Sequence, residues 1–235
     1  MTESFFYRVL LVPSAVFLSV VFGASYGSGR EVVEFVTRNG PTGGLVSICT
    51  LAITYGLLLT LSFELARMFR AFDYVSFFRV LLGKGWFLYE IVIIVGMLIA
   101  LSITTTVGGT VLGNHFLFSP WIGTILVLIL IVVLNYAGRG VVERSMMLSV
   151  AALFVVLAIL VGKLLSAHVP DIISAFSNYG SEKNPIFGGL KYAISNGGYL
   201  PLLLYAAMQL KNRAEAITAG IVAAVIAVLP ATVFH

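Results

Sequence analysis

Long apolar runs separated by short polar breaks dominate the chain. Residues 5–36, 44–63, 86–112, 121–136, 142–165, 187–210 and 214–233 are apolar over most of their length. A hydrocarbon core of about 30 Å needs roughly 20 such residues in a helix. The runs are too long for barrel strands and do not alternate apolar with polar positions. Helix is then the state that satisfies their backbone groups inside lipid. The pattern predicts seven membrane-spanning helices, the fourth and fifth joined by a tight turn at Ala137-Gly138-Arg139-Gly140.

Two of the seven are interrupted. The first run breaks at Gly23-Ala24-Ser25-Tyr26-Gly27-Ser28-Gly29-Arg30-Glu31 before apolar character resumes at Val32. Non-helical backbone at membrane depth is tolerated only where it is buried in protein or lines a wet cavity. The sixth run breaks at Asn196-Gly197-Gly198-Tyr199, ahead of Pro201. Gly-Gly disfavours helix, and a proline removes a donor and clashes one turn back. Breaks in corresponding members of two halves are the mark of an inverted repeat, whose discontinuous helices hold ions and solutes in secondary transporters. By that count residues 1–165 are a first five-helix repeat, and residues 166–235 are a partial second repeat of helices six and seven. The expectation is a chain lacking the last three of ten helices.

Composition agrees. The chain is 60% hydrophobic and 10% charged, with a mean hydropathy of +1.05; soluble domains carry about 25% charged residues. The formal charge of +4 belongs to residues between apolar runs, where it sets orientation and gives no reason to expect nucleic acid as a partner. One side carries Arg8, then Arg67, Arg70, Arg79 and Lys84, then Arg139 and Arg144, then Lys211 and Arg213. The other carries Arg38, nothing basic over 114–120, and Lys163, Lys183 and Lys191. That asymmetry predicts a bacterial-type inner membrane protein with a cytoplasmic N-terminus. Trp86 and Trp121 open apolar runs as interfacial anchors do. A cleaved leader is disfavoured, because Phe22 would stand where a small residue is wanted before a cut after Ala24. Cys49 is the one cysteine, so no internal disulfide forms, and His115, His168 and His235 are too scattered for a metal cluster. No nucleophile elbow, P-loop or haem pair is visible, so an enzyme is not expected and no cofactor is called for.

The first-helix segment from Gly23 to Val32 resembles the motif G-A-G-F-A-[ST]-G-x-E-I of the YkvI family of uncharacterised membrane proteins. Gly23, Gly29 and Glu31 match, while Ser25 stands for a glycine and Gly27 for an alanine. The loop from Asp73-Tyr74 to Leu82-Gly83-Lys84 resembles the family's first cytoplasmic loop, and Tyr192-Ala193-Ile194-Ser195-Asn196 its Y-x-x-x-N element. The resemblance implies an all-α, LeuT-like inverted-repeat bundle of the amino acid–polyamine–organocation superfamily, normally of about ten helices, and a secondary transporter.

The candidate substrate and ion site is then Gly23, Ala24, Ser25, Tyr26, Gly27, Ser28, Gly29 and Glu31 in the first break, with Asn196, Gly197, Gly198 and Tyr199 in the sixth. An unwound segment frees carbonyls for a cation and amides for an anion. The competing view is a glycine-rich kink that lets helices approach. Glu31 has no basic residue at four-residue spacing, which makes it a proton or cation site or a carboxylate satisfied by the helix dipole. Arg30, Glu34 and Arg38 are spaced by four, so Glu34 can pair on both sides as a gate or as a solvated pair. Ser102, Thr105 and Thr106, in a stretch with Thr104, Gly108 and Gly109, either line the solute path or serve as helix-packing residues. The expectation is a secondary transporter of a small polar or zwitterionic solute, coupled to sodium or protons. The alternative is a non-transporting structural or accessory membrane protein. The lipid bilayer is the expected partner in either case.

Overall fold

The computed structural model describes residues 4–21, 29–178 and 184–235. A π-helical turn, Phe6–Leu11, leads into α1, Val12–Val21. Then follow α2, Arg30–Phe35; α3, Gly40–Phe69; α4, Tyr74–Leu82; and α5, Trp86–Phe116. The chain continues through α6, Pro120–Tyr136; α7, Arg139–Asn178; α8, Pro185–Gly197; a 3₁₀ segment, Leu200–Gln209; and α9, Arg213–Phe234. No strand occurs among the described residues. Among the described residues four runs are long and apolar enough to cross a membrane, Arg30–Phe69, Tyr74–Phe116, Gly140–Lys163 and Arg213–Phe234, while Phe6–Val21 and Pro120–Tyr136 are apolar but shorter. The chain is a helical membrane protein.

Among the described residues all seven predicted segments are helical over most of their length, but they do not all span alone. The first and sixth are built from shorter pieces, and the fourth has 17 residues. Two further differences concern connections. Residues 74–82, read as loop, form α4, capped by the Asp73 side chain accepting from Ser76 N–H at 2.9 Å and stopped by Gly83 at φ +54°. The fifth helix runs to Asn178, so residues 166–178 are helical rather than connecting chain, and the boundary drawn at 165 falls inside a helix.

The core gathers around α3. Its buried side chains Leu51, Tyr55, Leu59 and Phe63 meet α1, α8 and α9, and Phe17 sets its ring edge-on to Tyr55 at 5.0 Å. The facing side of α9 is a stripe of small residues, Ala216, Ala219, Ala223, Ala227 and Ala231, all fully buried. With Gly220 under Thr60 and Gly56 against Ala224, the stripe lets the two backbones close together. Lipid gives helices no hydrophobic reason to associate, so close van der Waals approach through small residues takes its place.

The α5–α6 hairpin is a separate unit. Gly109, Gly113 and Gly123 make the crossing, and a Cβ on Gly123 would collide with the Gly109 carbonyl. Its outer faces, including Leu98, Ile103, Val107, Ile129 and Val132, are exposed. It is tied to the rest at its α4 end, where Tyr89 stacks on Phe78 and the Arg79 guanidinium lies 4.4 Å from the centre of the Trp86 ring.

Candidate functional site

The sixth segment is broken where expected. Asn184 caps α8 by accepting from Phe187 N–H at 3.3 Å, with Pro185 at the first helical position, a placement that wastes no donor. The helix ends at Gly197, Gly198 and Tyr199 turn, and Tyr199 N–H reaches back to Asn196 O at 3.1 Å. The next ten residues, Leu200–Gln209, wind as 3₁₀ helix. Such runs seldom exceed three or four residues, and a long one inside a segment marks a hinge or strain. Asn196 is buried and donates to Tyr192 O at 3.3 Å. Tyr89, which the sequence did not single out, donates its hydroxyl to Gly198 O at 2.6 Å, so α5 already holds one carbonyl of the break.

For the first segment, Gly23, Ala24, Ser25, Tyr26, Gly27 and Ser28 lie outside the described residues. The flanks are clear. α1 ends at Val21 and α2 begins at Arg30, entered through Gly29 at φ +66°, a conformation that favours glycine. Glu31 stands in the first turn of α2, half-buried, and its Oε2 is buried with no hydrogen-bond partner among the described residues.

The two broken segments meet through α2 and α8. Phe35 stacks on Tyr192 with ring centres 5.5 Å apart and planes at 23°. Gly188 and Gly189 make the approach possible. A Cβ on Gly188 would lie 2.5 Å from Phe35 O, and one on Gly189 would strike Ser47 O. A polar clamp finishes the contact. The buried Asn39 amide donates to Phe35 O at 2.8 Å and to Ser47 Oγ at 2.9 Å, and Ser47 Oγ donates to Pro185 O at 2.8 Å. Gly188 lies by Asn39 and Tyr192 by Phe35, so the two helices run antiparallel. One further turn takes α2 back to Glu31 and α8 on to Asn196, because residues four apart share a face.

Other expectations fare differently. Arg30, Glu34 and Arg38 are exposed and line a cavity of about 440 Å³ with Gly29, Val33 and Phe234. No ion pair between Glu34 and either arginine occurs among the described residues. Thr105 is buried on the α6-facing stripe, one turn from Gly109, with its hydroxyl donating to Leu101 O at 2.8 Å. Ser102 and Thr106 are exposed on the neighbouring face. Thr105 packs on the side of α5 that meets α6.

The largest feature missed lies at the other end of the broken segments. The Arg8 guanidinium donates to both carboxylate oxygens of Glu215 at 2.6 Å and to Gln209 O at 3.0 Å. Glu215 Oε2 also accepts from Lys211 N–H at 2.7 Å, while Asn212 caps α9 through Glu215 N–H at 2.9 Å. This bidentate pair latches the start of the first segment to the end of the 3₁₀ segment and the start of α9. Its signal was present as Asn212-Arg213-Ala214-Glu215, a capping-box spacing. The search among family models found no match, and neither curated proteins nor solved structures supplied one.

Proposed function

We propose that the chain is a secondary active transporter of a small polar or zwitterionic solute, coupled to sodium or protons, working by alternating access within a LeuT-like bundle. On this reading it sits in a bacterial-type inner membrane with a cytoplasmic N-terminus. The observation that supports it is the buried Glu31 oxygen, which has no hydrogen-bond partner among the described residues, on the helix that packs through Phe35 against Tyr192 of the interrupted sixth segment. A buried carboxylate without a partner is costly unless it takes up a proton or a cation. The rival, a structural or accessory membrane protein, explains the glycine approaches at Gly188 and Gly189 but gives that oxygen nothing to do. The sequence adds Gly23 to Ser28 beside Gly29, and the YkvI resemblance points the same way.

The test is flux. Purified protein in proteoliposomes should accumulate one or more radiolabelled amino acids or similar small polar solutes under an imposed sodium or proton gradient. Glu31→Gln keeps the shape and removes the charge, so it should abolish uptake or shift its pH dependence in a protein that still folds. Absence of uptake under either gradient would sink the transport reading. Uptake indifferent to Glu31→Gln across mildly acidic to mildly basic pH would remove Glu31 from the mechanism.

A further inference from the structure

Away from the broken segments' contact, a groove of about 370 Å³ opens between the first segment, α7 and α9. Its walls include Leu10 and Ser14 on the first segment, Ala151 and Phe154 on α7, and Val222 and Ile226 on α9. Ser14 is the one polar side chain lining it. A water needs two to four polar partners, so water is a poor occupant. An apolar cavity of about 150 Å³ already takes benzene, and this one is more than twice as large. The fitting occupant is apolar and longer than a ring.

Charge at the mouth narrows the choice. Arg144, Met147 and Ala151 lie at i, i+3 and i+7 on α7, so they share one face of the helix. Met147 and Ala151 line the groove, and Arg144 lies one turn before them. Arg144 is exposed and makes no ion pair among the described residues. Glu143 points about 100° away around the helix. A guanidinium matches a phosphate in geometry and charge. From Arg144 to Ala151 is about 10 Å along the axis, the right order for a headgroup above the first stretch of its chain.

We infer that the groove between the first segment, α7 and α9 is a phospholipid site, which seats one acyl chain along Ala151 and Phe154 with the lipid phosphate on Arg144. The seated chain braces the start of the first segment, the stretch that Arg8 latches, against α7 and α9. The inference needs only a helical membrane protein and is independent of transport.

The test uses the full chain in nanodiscs containing phosphatidylglycerol with a diazirine on one acyl chain. After illumination and digestion, label should concentrate on peptides covering 147–154 and 222–226, above the level on α5 and α6, which expose apolar surface without this groove. Ala151→Trp fills the groove and should cut that label several-fold while leaving label on α5 unchanged. Arg144→Gln lies outside the groove on an exposed position, so folding is spared, and it should lower the same label. Label spread evenly over all exposed helices would overturn the inference. So would indifference to both variants, or labelling of the groove by a diazirine fatty acid but not by the phospholipid.

Discussion

Replacing Arg8 with methionine tests what the latch contributes. The change removes two hydrogen bonds to Glu215 and one to Gln209, and leaves Lys211 N–H as the remaining donor seen on the Glu215 carboxylate. The two side chains are only 12% and 9% exposed, so solvent does little to screen the stranded charge. Breaking a buried pair from one side costs about 3–5 kcal/mol, a hundred-fold to several-thousand-fold drop in the folded-to-unfolded ratio at about 1.4 kcal/mol per decade. Glu215→Leu in the Arg8→Met background removes the stranded carboxylate. The double variant should recover most of the loss, short by about 1 kcal/mol for the Lys211 amide that loses its acceptor. Reversible unfolding in mixed micelles, followed by circular dichroism, measures all four corners of the cycle. An Arg8→Met cost below about 1 kcal/mol, the range of exposed pairs, would refute the latch. Strict additivity of the two changes would refute it as well.

Gly188→Ala should destabilise by about 1–3 kcal/mol, the usual cost of overpacking, because the new methyl meets Phe35 O and the Asn39 amide; the same unfolding assay reads it, and a neutral result would deny the α2–α8 approach. Asp73 is held below the usual carboxylate range by the Ser76 N–H it accepts. A depressed folded value means the cap contributes above the ordinary Asp range and is lost as pH falls through the folded value. Asp73→Ala should therefore cost α4 about 0.5–1 kcal/mol near neutral pH, and hydrogen exchange of α4 amides should show parent and variant converging in acid. For orientation, thiols introduced at Asn114 and Asn178 should react with an impermeant reagent in intact cells and one at Asp73 should not; the reverse pattern would invert the proposed topology.

Local chemistry was legible in the sequence, and choice of face was not. The sixth-segment break falls at Gly197 to Tyr199 because glycine and proline act on their own backbone, whatever surrounds them. The same holds for Gly29 at φ +66°. Thr105, Ser102 and Thr106 could not be sorted, because lipid is as apolar as a leucine face and hydropathy does not say which side of α5 meets α6. The latch was hidden by distance, since Arg8 and Glu215 are 207 residues apart. Arg8 alone read as a flanking charge, and Glu215 drew no reading. The α4 helix had its signals in place, an Asp N-cap and a glycine stop, but its nine residues are too short for a membrane-scale apolar run.

The contacts between the first and sixth segments are distributed in a way that bears on the proposed mechanism. At one end, Arg8 ties the first segment to Gln209, the last residue of the sixth segment's 3₁₀ run. At the other end, Phe35 stacks on Tyr192, and Asn39 and Ser47 tie α2 to the start of α8. The Arg8 fastening sits at the far end of the sixth segment from α8, whereas the Phe35–Tyr192 stack stands one helical turn from Glu31 and from Asn196. On the proposed reading, a solute that engaged Glu31 or Asn196 would act one helical turn from the aromatic fastening. Its binding energy would then bias one fastening against the other, which is the differential interaction that alternating access requires.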